Sequence, residues 1–129
     1  MSILIIDIDH FKTFNDRFGH LQGDAFLREL GPFLTGRIRS TDFAARYGGE
    51  EFVVLLPGIA KEHAGQKAEF LRKDFEKAEL TGEGSSSVTW SIGVACCPED
   101  GSSQEELIRK ADNALYEAKR KGRNRVGVA

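Results

Sequence analysis

The stretch Arg46 to Pro57 reads RYGGEEFVVLLP. Gly48-Gly49 supplies the positive-φ freedom that a tight strand-to-strand turn requires. Asp42 to Tyr47 and Phe52 to Leu56 are therefore expected to be the two strands of a β-hairpin. A turn has no need of Glu50 and Glu51, two like charges at the mouth of an apolar strand. The hairpin thus announces both a fold element and a site.

Working outward, Ile3 to Asp9 reads as a strand whose apolar start faces both ways, which suits the centre of a sheet. From Gln22 to about Ile38, Phe26, Leu27, Leu30, Phe33 and Leu34 recur at helical spacing, and Gly31-Pro32 predicts a kink or break within it. Glu62 to about Leu80 is expected to be a helix with Ala64, Ala68, Leu71, Phe75 and Ala78 on one side. Ser85-Ser86-Ser87 signals a turn. Val88 to Cys96 alternates as a strand. Ser103 to Lys121 predicts a helix opened by a Ser103/Glu106 capping box and closed by Gly122. Val126 to Val128 forms a short last strand. The order β-α-β-β-α-β-α-β predicts an α+β domain of ferredoxin-like pattern with additions, its mixed central sheet flanked by helices.

The 129 residues suit one domain, and 40% hydrophobic with 29% charged residues suits a globular chain with a full core. The net charge of −2 provides no global basic field. Lys119, Arg120, Lys121, Arg123 and Arg125 do cluster, but no aromatics interleave with them, so nucleic acid is not an expected partner. The apolar run Ile3 to Ile6 is cut by Asp7, too short for a signal core or membrane span, and no membrane contact is expected. Cys96 and Cys97 are adjacent and point apart in an extended chain, so free thiols in a reducing cytoplasm are expected.

Four constellations carry chemistry. Asp7 and Asp9, two apart on a strand, face one side. Either they hold a divalent cation through oxygen, for which Mg²⁺ is suited, or they cap the following helix and pair with basic residues. The helix that starts at His10-Phe11-Lys12 offers free N–H groups to a phosphate, with Lys12 either adding charge or merely solvated. Glu50 and Glu51 alternate in direction, so one of them is expected to face Asp7. Lys119 and Arg123 flank the end of the last helix, either as phosphate clamps or as complements to its dipole. In the turn between Gly19 and Gly23 stands His20, while Asn15 and Asp24 can offer an amide and a carboxylate to a base edge.

Taken together, DIDHFKTFNDRFGHLQGD, RYGGEEF, SIGVA and ADNALYEAKRKGRNRV resemble, in order and spacing, the GGDEF domain of diguanylate cyclases in its GGEEF form. The resemblance spans nearly the whole chain. It implies a nucleotide-cyclase type of fold and the condensation of two GTP into cyclic di-GMP by a homodimer in bacterial signalling. It implies that Asp7, the Ile8 carbonyl and Glu50 ligate Mg²⁺ (or Mn²⁺), with Glu50 also the base toward the ribose 3′-hydroxyl. Lys12 matches a lysine that stabilises the transition state, and His10 and Phe11 share its phosphate-binding turn. Asn15 and Asp24 match the guanine-reading pair, and His20 a substrate contact. Gly48 and Gly49 admit the α-phosphate and ribose, and Lys119 and Arg123 hold the distal phosphates. Arg39 and Asp42, in RSTD, match an R-x-x-D motif that binds the product as an inhibitor. The family's second arginine of that site has no clear match on the following helix: Phe70 stands near its place and Arg72 is offset from it. Family members begin with a helix and a D-x-L-T-x-L segment. This chain opens at the following strand, which implies a domain of a longer parent with a sensor or dimerisation module.

Overall fold

The computed structural model describes residues 1–78, 80 and 88–129. The turn expected at Ser85-Ser86-Ser87 lies outside them. In chain order the elements are β1 (Ser2–Ile8), α1 (Phe11–Phe18), α2 (His20–Thr35), β2 (Phe43–Arg46), β3 (Glu51–Leu56), α3 (Lys61–Lys77), β4 (Trp90–Cys96), α4 (Gln104–Arg120) and β5 (Val126–Val128). The sheet runs β2-β3-β1-β4-β5, antiparallel throughout except for the parallel pair β4-β5. Its first four strands have the ferredoxin-like order, with β5 added beside β4.

β1 is central, as its double-sided apolar start predicts, and every one of its residues is buried. Leu4, Ile6 and Ile8 pack on one face with Phe26, Leu30, Leu71 and Phe75 from α2 and α3. Ile3 and Ile5 pack on the other with Leu107, Ala111 and Leu115 of α4. Each large side chain so covered contributes roughly 1.5–3 kcal/mol. Phe75 stacks on Trp90 with ring centroids 3.9 Å apart. α4 lies close on the sheet because β4 carries Gly93: a Cβ there would stand 2.1 Å from the Ala111 carbonyl oxygen. Ser103 caps α4 by accepting from the Glu106 N–H at 3.1 Å.

Two expectations change. The turn expected between Gly19 and Gly23 shrinks to Gly19 alone, at φ 91°, so the second helix opens at His20 rather than at Gln22. Gly31-Pro32 causes no break: α2 continues to Thr35. Pro32 lies on an exposed side of the last turns, so its missing N–H is not a buried loss, and its own carbonyl receives the Gly36 N–H at 3.0 Å. Cys96 and Cys97 are free thiols. Among the described residues no helix is long and apolar enough to cross a membrane.

Candidate active site

The C-terminal end of β1 and the hairpin turn meet at one rim of the sheet. Ladder register pairs Asp7 with Glu51 on one side and with Ser91 on the other. Glu50 lies just outside the ladder, and its carbonyl accepts the Ile8 N–H at 3.3 Å. The register sets Glu51, not Glu50, on the strand rung opposite Asp7. Glu50 belongs to the turn, and the Asp7 charge acts on both. Burial, then Asp7, push the Glu50 carboxyl above the ordinary range, with Lys119 opposing. Burial, Asp7 and Asp112 do the same to Glu51. Burial raises Asp112, again against Lys119. The sequence names Glu51 only as the alternative to Glu50, and it does not single out Asp112. Glu51 could have been found from the register, but Asp112 needs the packing of α4.

Lys119 is the counter-charge of this carboxylate group. Its ammonium donates to Asp7 Oδ2. Asp7 Oδ1 is buried without a hydrogen-bond partner. A buried carboxylate oxygen with no donor is costly and fits a missing cation. Among the described residues no three His, Cys, Asp or Glu side chains gather as a metal cluster. The carboxylates of Asp7 and Glu50 and the Ile8 carbonyl are the hard oxygen donors that Mg²⁺ accepts and could hold such an ion, with water completing the shell.

Asp9 behaves differently from Asp7. It is buried, and its oxygens accept from Thr89 Oγ1 at 2.8 Å, Ser91 Oγ at 2.8 Å and the Asn124 N–H at 2.9 Å. Among the described residues Asp9 thus neither caps the following helix nor pairs with a basic residue but is held by two hydroxyls and a backbone N–H, whereas Asp7 pairs with Lys119 and keeps one oxygen without a partner.

Beside the carboxylates lies a cleft of about 420 Å³ lined by Phe11, Asp24, Leu27, Arg46, Gly48, Gly49, Glu50 and Glu51. The Arg46 guanidinium fixes its turn, donating to the carbonyls of Gly48 at 3.2 Å and Gly49 at 2.6 Å. His10 caps α1 with a left-handed backbone, φ 56°. Lys12, His20 and Asp24 are exposed along α1 and the start of α2. Asn15 Oδ1 is buried without a partner. Gly23 makes room for it: a Cβ on Gly23 would stand 1.8 Å from that oxygen. Arg123 is exposed and left-handed, φ 64°, past the end of α4.

Arg39 and Asp42 lie apart from this rim. They form a bidentate pair, with Arg39 Nη2 to Asp42 Oδ1 at 2.7 Å, and Arg39 also donates to the Pro57 carbonyl at 2.8 Å. The hydrogen bond from Arg39 holds the Asp42 carboxyl below its usual value. They line a pocket of about 180 Å³ with Leu56, Ile59, His63 and Lys67. Arg72 faces elsewhere, bonded to Glu69 and Asn124. The cation of α3 at this pocket is Lys67.

Comparison with known proteins gives this arrangement a family. The profile described as diguanylate cyclase, GGDEF domain, matches residues 1–125. Diguanylate cyclase A of Treponema denticola is 45% identical over 130 residues, covering 100% of this chain and 35% of that protein's length. The chain thus spans about a third of that relative. Among solved structures, the active GGEEF domain of a diguanylate cyclase from Vibrio cholerae superposes with a TM-score of 0.89 at 36% identity, covering 98% of this chain and 81% of that one. The GGDEF domain of DgcB from Caulobacter crescentus, solved in complex with c-di-GMP, superposes with a TM-score of 0.88 at 37% identity, covering 98% of this chain and 76% of that one. A hairpin of two glycines and two glutamates set against the end of a central strand is, in this molecule, the mark of its membership in the GGDEF domain family of diguanylate cyclases.

Proposed function

We propose that this domain condenses two GTP into cyclic di-GMP with release of two pyrophosphates. The observation that carries the reading is the open, buried Oδ1 of Asp7 beside the hairpin glutamates. Asp7, Glu50 and the Ile8 carbonyl would hold Mg²⁺ or Mn²⁺, which when bound neutralises phosphate charge and makes the 3′-hydroxyl more acidic.

The chain's own residues do the rest. Glu50, whose carboxyl holds its proton more readily than an ordinary glutamate, accepts the proton of the ribose 3′-hydroxyl. The 3′-oxygen forms a bond to the α-phosphorus of the second GTP, and the bond from that phosphorus to the bridging oxygen breaks as pyrophosphate leaves. A second, symmetric step closes the ring. Lys12 supports the charge that develops, near the N–H groups of His10 and Phe11. Asn15 and Asp24 take the guanine edge, and His20 borders it. Gly48 and Gly49 admit the ribose and α-phosphate. Lys119 and Arg123 hold the distal phosphates. Each site carries one GTP, so two copies must face each other as a homodimer. Positioning alone is worth roughly 7–11 kcal/mol in such a reaction. A sensor or dimerisation module of a longer parent would bring the copies together. A GTP-consuming reaction with reduced thiols at Cys96 and Cys97 belongs in the cytoplasm.

The Arg39–Asp42 pocket favours a second role, binding of the product as an inhibitor. A domain that used only this pocket, or bound GTP without turnover, would be a receptor. Turnover separates the two readings. Concentrated protein is incubated with GTP and Mg²⁺, with ATP in parallel, and the products are resolved by chromatography and mass spectrometry. Cyclic di-GMP from GTP alone, lost in Glu50→Ala, is expected. Activity retained in Glu50→Ala would overturn the assignment. Absence of product from a forced dimer that binds GTP would favour the receptor.

A further inference from the structure

Two successive non-glycine residues, Arg123 at φ 64° and Asn124 at φ 47°, have left-handed backbones. Asparagine enters this region readily, but an arginine keeps it only where its surroundings impose it. Here it is tied from both sides. The Asn124 N–H donates to Asp9 Oδ2 at 2.9 Å, which fastens the loop to the end of β1. The Asn124 side chain is bracketed by α3: its Oδ1 accepts from Arg72 Nη1 at 2.9 Å, and its Nδ2 donates to Glu76 Oε2 at 2.6 Å. The backbone of Arg123 is held as well. Its N–H reaches the Ala118 carbonyl at 3.1 Å, and its carbonyl accepts from Arg125 Nε at 3.1 Å. Yet its guanidinium makes no ion pair among the described residues. A loop this heavily tethered, which leaves one arginine uncommitted, is built to present that arginine.

We infer that Asp9 and Asn124 are positioning residues, which hold the left-handed turn that sets the Arg123 guanidinium beside Lys119 for the distal phosphates of the nucleotide. Asp9 thus serves the same site as Asp7 by another route: Asp7 faces the cation, and Asp9 fastens the phosphate-binding loop. Arg72 acts through Asn124 and ties that loop to the middle sheet-covering helix. The inference rests on the reading of Arg123 as a phosphate ligand.

The test separates phosphate recognition from base recognition. Calorimetric titrations with GTP and with GMP are run on the parent chain, Arg123→Ala, Asn124→Ala and Asn124→Gly. Arg123→Ala is expected to weaken GTP by about tenfold, the order of one charge-assisted contact, and to leave GMP unchanged. Asn124→Ala should reproduce that pattern, because alanine resists the left-handed backbone. Asn124→Gly should bind GTP more tightly than Asn124→Ala but less tightly than the parent, since glycine accepts that backbone and keeps the N–H for Asp9 but loses the side-chain bonds to Arg72 and Glu76. Asp9→Asn should also lose GTP selectively, but the Asn124 pair decides the matter even if Asp9→Asn does not fold. Unchanged GTP binding in Asn124→Ala, with Arg123→Ala impaired, overturns the positioning role. Equal losses for GTP and GMP in Asn124→Ala overturn it too, since they report general damage. No effect in Arg123→Ala removes the phosphate reading itself, and the inference with it.

Discussion

Replacing Lys119 with methionine keeps most of the side chain's apolar length and deletes its charge. Lys119 pairs with Asp7, whose side chain is only 7% exposed, while the lysine is 29% exposed. It is also the cation opposing the raised carboxyls of Glu50, Glu51 and Asp112. Deleting one partner of a buried pair costs about 3–5 kcal/mol. Water reaches this lysine in part, so a loss of about 2–3 kcal/mol is expected, below that range. A divalent cation can replace the missing charge. In the parent chain it must compete with Lys119 for Asp7, and in the variant it need not. Mg²⁺ should therefore stabilise Lys119→Met more than the parent, and it should bind the nucleotide-free variant more tightly. Urea unfolding in EDTA and in saturating MgCl₂ measures the first effect, and Mn²⁺ titration followed by electron paramagnetic resonance measures the second. If the variant loses equal stability in both buffers and binds Mn²⁺ no better, then Lys119 is not a stand-in for the cation and the argument fails.

Three other outcomes follow from the same geometry. The Glu51 carboxyl is raised in the folded protein, so the folded state keeps protons that the unfolded chain has released, and stability falls as pH rises through that window. Glu51→Gln should thus gain stability relative to the parent as pH climbs from the ordinary glutamate range to neutrality, read from urea midpoints; a constant or shrinking gap refutes this. Gly23→Ala should push Asn15 aside, since its Cβ falls 1.8 Å from Asn15 Oδ1. Discrimination of GTP from ATP should drop by about tenfold or more, as expected when a buried polar recognition pair is lost, and unchanged selectivity would remove Asn15 from base reading. Gly93→Ala sets a Cβ 2.1 Å from the Ala111 carbonyl and 2.6 Å from the Leu115 nitrogen. Backbone cannot yield as a side chain can, so a loss of about 3 kcal/mol or more is expected by thermal unfolding.

The strands and α4 were legible because their signals are local. Alternation marks β4, two glycines mark the hairpin, and Ser103 with Glu106 marks the start of α4. The start of α2 was less so, because it depends on the positive φ of Gly19, and a glycine between helical patterns does not declare its conformation. The apparent break at Gly31-Pro32 misled because proline's cost depends on whether its missing donor is buried, which spacing alone cannot show. The two aspartates of β1 are indistinguishable by spacing. What separates them are Thr89, Ser91 and Asn124 around Asp9, partners 80 to 115 residues away. Likewise, the sequence named no cation of α3 for the Arg39 pocket: Lys67 lines it, while Arg72 turns to Glu69 and Asn124, and only the orientation of the packed helix decides this.

The central place of β1 has a consequence for the order in which the molecule can come into being. Within this domain the strand precedes both of its sheet neighbours, β3 and β4, and the lysine that balances Asp7 comes 112 residues later. A nascent domain therefore carries this fully buried strand unpaired until β3 emerges, and an uncompensated aspartate at its tip until α4 does. Contacts that span such distances are slow to close and expose the chain to misassembly in the meantime. The rim cannot acquire its charge balance until α4 has left the ribosome, so the site is among the last features of this domain to mature.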